Sequence, residues 1–151
     1  MRLTVKQAQS ILAAAVAKAT ALAVPVNIVV VDAGGHLKTF LRMDGALLGA
    51  IDIAKGKAKT SILFEMNSEA VWEYCKPGAP AHGLECTNEV LVTFAGGVPL
   101  RDGDEVLGAI GVSGGTVAQD AEVAAAGAAA FVASFGNSLL DPSAQSGDTR
   151  A

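Results

Sequence analysis

The residues of this chain best equipped for chemistry are gathered in one stretch, Tyr74–Glu89, which reads YCKPGAPAHGLECTNE. It holds both cysteines, one of the two histidines, and a carboxylate, Glu85, three residues beyond that histidine. Thiolates and imidazoles are the usual ligands of structural zinc, but such sites use four ligands in short paired spacings such as Cys-x2-Cys. Cys75, His82 and Cys86 supply three at unrelated intervals, so no metal site is expected. Pro77, Gly78, Pro80 and Gly83 shape an exposed loop, the kind of element that carries function on a scaffold. His82 is a candidate acid–base group there, with Glu85 close enough in sequence to orient or charge-pair it.

The second histidine, His36, ends the turn DAGGH. An imidazole with an ordinary pKa near ~6.5 suits both proton transfer at neutral pH and ligation of iron or another metal. The alternative is a turn histidine hydrogen-bonded to Asp32 or to solvent. Arg42 and Asp44 lie in RMDGA on the same strand, about 20 Å or more from His36 at ~3.3 Å per residue. They share one small substrate with His36 only if a neighbouring subunit folds the geometry back. Arg42 can hold a carboxylate bidentately, and an Arg42–Asp44 or intersubunit ion pair is the competing role.

The segment GVSGGT leads from a strand into the last helix, so backbone N–H groups around Ser113, Gly114, Gly115 and Thr116 form a candidate anion pocket. Against that stands Thr116, placed to cap those same donors. Gly96 and Gly97 read as turn geometry, with pocket lining as the lesser reading. Lys55, Lys57 and Lys59 read as a solvated basic face of a helix, with Lys59 a candidate rim for an anionic ligand.

The elements that must hold these groups follow from periodicity. Residues 4–23 carry a 3.6-residue apolar stripe opened by a Thr-x-x-Gln capping pattern. VNIVVV is a strand buried on both faces, and HLKTFLRM returns as its hairpin partner. The pleat places His36, Lys38, Phe40 and Arg42 on one face and Leu37, Thr39, Leu41 and Met43 on the other. DGALLGAIDIAKGKAKTSILF reverts to helix, with Leu47 on its core side, and SEAVWEYC is a short helix capped by Ser68. VLVTFA and EVLGAIGVS read as strands around a short piece, GGVPL, and a second Thr-x-x-Gln box at Thr116 opens an Ala-rich final helix. The class is α+β in three layers. One domain over 1–136 with a flexible tail over 137–151 is expected from the length and the polar C-terminal composition.

Composition narrows the partners. An apolar fraction of 51% with only 5% aromatics means a core of Ala, Val, Leu and Ile. A net charge of -4 without a basic stripe argues against nucleic acid. The apolar runs fall short of the ~20 residues that span a bilayer, and the first residues lack a signal pattern, so a cytoplasmic setting is expected. There is no P-loop, dinucleotide fingerprint or nucleophile elbow.

Three blocks, VVVDAGGHLKTFLRMDGALLGAIDIAKGKAKTS, GGVPLRDGDEVLGAIGVSGG and QDAEVAAAG, resemble the GlcG/HbpS family in order and spacing. That family is described as haem-binding or haem-degrading and also supplies the C-terminal domain of PduO-type proteins. The resemblance spans about Leu3 to Phe135. It implies a profilin-like three-layer α/β/α sandwich with a five-stranded antiparallel sheet, a homo-oligomer, and binding of haem or a related tetrapyrrole. On that reading His82 or His36 is the axial ligand and Arg42 or lysines take the propionates. Where the family commonly carries an aromatic residue in PGAP.HGL, this chain has His82. A cofactor-free isomerase, hydratase or lyase for a small anionic catabolite is the competing function, with His36 or His82 moving the proton and the SGGT donors or Arg42 holding carboxylate. An accessory scaffold is the third.

Overall fold

The computed structural model describes residues 1–138; the rest of the segment expected as a tail lies outside the described residues. The chain runs α1 (Val5–Ala21), β1 (Asn27–Asp32), β2 (Leu37–Arg42), α2 (Ala50–Phe64), α3 (Ser68–Cys75), a short 3₁₀ turn (Leu84–Cys86), β3 (Gly97–Asp102), β4 (Glu105–Ser113) and α4 (Val117–Ser138). The strands form one antiparallel sheet in the order β2-β1-β4-β3. No helix among the described residues is long and apolar enough to cross a membrane.

The three layers follow from which faces are apolar. On one side α1 and α4 pack together over the sheet: Ile11 and Ala15 of α1 and Val123 and Phe131 of α4 meet Ile28, Val30, Ile110 and Val112. On the other, Ala54, Ala58 and Ile62 of α2 lie on Val29, Val31 and Ala109. Glycine sets how closely α2 descends. A Cβ at Gly111 would sit 2.1 Å from the Ala54 carbonyl oxygen, and one at Gly97 would sit 2.4 Å from that of Lys57. Both capping boxes form: Thr4 with Gln7 at α1, and Thr116 with Gln119 at α4.

Four expectations change. The sheet has four strands and not five, because GGVPL opens β3 while VLVTFA is no strand. Asn88, Glu89 and Val90 adopt positive φ of 52°, 58° and 73°, which breaks the extended backbone a ladder needs. The N–H groups of Leu91 and Val92 then donate to the Glu85 carbonyl and the Thr60 hydroxyl across α2. In β2 a bulge between Val30 and Val31 pairs Val30 with Thr39 but Val31 with Leu37. Lys38 is the extra residue, so Leu37 turns to the same face as Phe40 and is 59% exposed. Leu47 precedes α2 and is 66% exposed, not core. The cap of α3 is Asn67; Ser68 is its first residue and is buried, donating to the Phe94 carbonyl at 2.7 Å and accepting from Gly97 N at 2.9 Å.

Candidate functional site

The β1–β2 turn is built around one carboxylate. Asp32 N donates to the His36 carbonyl and Gly35 N to the Asp32 carbonyl, each at 2.9 Å. Asp32 Oδ1 accepts from Gly34 N and His36 N at 3.0 Å each. These bonds fold the chain so that the His36 ring leans back over Asp32, with Nδ1 3.5 Å from Oδ1 and the side chain 84% exposed. The backbone N–H of His36 is the chief reason the Asp32 carboxyl lies below the usual carboxylate range, against a desolvation cost that acts the other way. The turn rests on the C-terminal end of α2: a Cβ at Gly35 would be 3.7 Å from Ile62. Beside it lies a cavity of about 300 Å³ bordered by Arg2, Leu3, Asp32, Lys38 and Leu107.

His82 occupies a different place. It sits exposed in the loop between α3 and the 3₁₀ turn. Glu85 does not serve it. The Glu85 carboxylate lies against the Cys75 thiol, and burial first and this carboxylate second push that thiol's pKa up. Both cysteines are free thiols, Cys75 buried and Cys86 exposed. No group of three or more Cys, His, Asp and Glu side chains among the described residues is arranged to hold a metal ion.

The remaining sequence candidates are not brought together. Arg42 pairs with Asn27 at one end of the hairpin while Leu37, next to His36, pairs with Val31 at the other. Arg42 and Asp44 are both exposed. The expected anion pocket is filled from within: Gly115 N donates to Asp120 Oδ1 and Thr116 N to Gln119 Oε1, both at 2.9 Å. Ser113 is buried opposite Asn27, and Gly114, with φ of 139°, packs its backbone against Pro25 and Val26. Gly97 is a buried packing position. Lys59 reaches the Asn88 carbonyl and lies 4.0 Å from Glu89, so it ties down a loop.

Lys57 is not on a solvated face. It is 0% exposed, its Nζ donating to Asp120 Oδ2 and the Val112 carbonyl at 2.9 Å each, with the Phe94 ring 4.9 Å away. Burial lowers its pKa and the Asp120 contact acts against that shift. The signal was present: Lys57 follows Ala50 by seven residues and Ala54 by three and precedes Ser61 by four, so all four share one helical face.

The pattern of the family described as haem degrading protein, HbpS-like, matches residues 3–129, and the chain belongs to that family. A 15.0 kDa protein from the dhaT-dhaS intergenic region of Citrobacter freundii is 40% identical over 119 residues, 78% of this chain and 84% of the relative. The crystal structure of Klebsiella pneumoniae ORFY superposes with a TM-score of 0.85 at 36% identity, covering 88% of this chain and 93% of that one. A PduOC:heme complex superposes with a TM-score of 0.82 at 34% identity, covering 86% and 95%.

Proposed function

We propose that this protein binds haem or a closely related tetrapyrrole as a homo-oligomer, with His36 as the axial donor. The observation that carries the choice of histidine is the pairing at the turn. A ligating imidazole characteristically has a carboxylate or carbonyl behind its second nitrogen, and His36 has Asp32 there, whereas the Glu85 carboxylate lies against the Cys75 thiol. Likeness to a haem-bound PduOC structure and membership of an HbpS-like family support the ligand class.

The residues present fit an open site. His36 is exposed, and the bulge turns Leu37 and Phe40 outward on the adjoining strand as apolar surface for a flat macrocycle. The neighbouring cavity of about 300 Å³ is at the lower end for small-molecule pockets. A porphyrin would therefore lie on the surface, and its second wall would come from another copy of the chain. Bound haem would bring an iron centre for redox or ligand-binding chemistry; the chain presents the nitrogen and the apolar floor. The competing anion-handling enzyme needs histidine, carboxylate and anion clamp in one place. The separation of Arg42 from His36 and the internally used donors at Gly115 and Thr116 favour the tetrapyrrole reading over it.

Haemin titration of the purified protein followed by absorbance tests this. A sharp, shifted Soret band is expected for the wild type and for His82→Ala, and its loss for His36→Ala. A spectrum indifferent to His36→Ala would overturn the assignment.

A further inference from the structure

We infer that Asp32 is a positioning residue that turns the Nδ1 edge of His36 inward and leaves Nε2 as the outward donor, and that Gly34 is the gap that admits the ring. This deepens the reading above and rests on it only for what Nε2 then meets. A neutral imidazole carries one proton, and the nitrogen that keeps it is set by the acceptor it faces. Here the acceptor is Asp32 Oδ1, held in place by two backbone N–H groups at 3.0 Å. The ring nitrogen at 3.5 Å is slightly beyond an ordinary hydrogen bond, and a small ring rotation closes the distance.

Gly34 supplies the independent observation. Glycines at Gly35, Gly45 and elsewhere have positive φ, which the backbone itself demands. Gly34 does not. A Cβ there would nevertheless lie 2.8 Å from His36 Nδ1 and 3.0 Å from Cε1, with Asp32 Oδ1 next at 3.4 Å. A side chain at position 34 would push the imidazole off this position, so its absence is tied to the seat of the ring and not to the path of the chain.

The test needs no haem for its first half. In ¹⁵N-labelled protein at a pH where both imidazoles are neutral, His36 is expected to show predominantly the Nδ1–H tautomer, with the exposed His82 as the unconstrained reference. Asp32→Asn, which can still accept the two backbone bonds, and Gly34→Ala should each move the His36 pattern toward that of His82. In haemin titrations the same two variants are expected to weaken binding by about 10–100-fold, the usual effect of losing a group that orients a ligand. Any stability cost of Gly34→Ala in the wild type should vanish in a His36→Ala background. A His36 tautomer matching His82 and unmoved by Asp32→Asn, or a Gly34→Ala cost that persists without the ring, would overturn the inference. A tautomer result as expected with haemin binding indifferent to His36→Ala would leave the positioning intact and overturn only the haem reading.

Discussion

An ammonium held where no water reaches is stable only when its hydrogens are satisfied, and at Lys57 two are taken by Asp120 and the Val112 carbonyl while an aromatic face lies nearby. Removing one partner leaves the other as a bare buried charge. Asp120→Ala is therefore expected to cost about 3–5 kcal/mol in urea unfolding. Lys57→Met leaves Asp120 buried with only the Gly115 N–H on Oδ1 and no cation at Oδ2, and is expected to cost a similar amount. Because burial lowers the Lys57 pKa below the ordinary 10.5, the unfolded chain binds more protons than the folded one between the lowered value and 10.5. The Lys57 contribution to stability consequently rises with pH across that window and is flat below it. Subtracting the Lys57→Met pH profile from that of the wild type should isolate this rise. The Asp32–His36 turn was legible in the sequence because its partners are local, whereas Glu85, expected to serve His82, lies against the Cys75 thiol. Lys57 was misread because a basic cluster normally marks solvent, and its partner Asp120 lies 63 positions away.

Elements were most legible where pattern and chain direction agree, as in α1, β1, β4 and α4 with their capping boxes and apolar periods. They were least legible at VLVTFA, whose β-branched and aromatic composition is that of a strand. What overrides it is the backbone leading into its first residue, where three successive residues without glycine's freedom, Asn88, Glu89 and Val90, sit at positive φ. Val90 is the least suited of them, being β-branched and mostly exposed. Val90→Gly should relieve roughly 1 kcal/mol of that strain and raise the unfolding midpoint. A drop in stability would mean that the left-handed run is no burden. The bulge at Lys38 was equally hidden, since nothing in HLKTFLRM marks an extra residue, and it reversed the face on which Leu37 stands.

For the whole molecule, three layers could be inferred from helices before, between and after the strands, while the number of strands could not. β2 is an edge strand that leaves Leu37 and Phe40 exposed, and Leu47 and Leu48 are exposed just before α2. If copies of the chain meet there, sedimentation should give a mass well above that of one chain, and charged residues at Leu37 and Phe40 should reduce it; a wild-type monomer would speak against the oligomer. The sheet order has a further consequence for synthesis. β1 is flanked by β2, its immediate successor, and by β4, which is made last among the strands. At roughly 5–20 residues per second a ribosome takes seconds to reach Ser113 after completing β1. During that interval NIVVV has its hairpin partner but no second neighbour and no α4 above it. The nascent chain must therefore keep its most apolar strand from pairing with other chains until its own C-terminal third emerges.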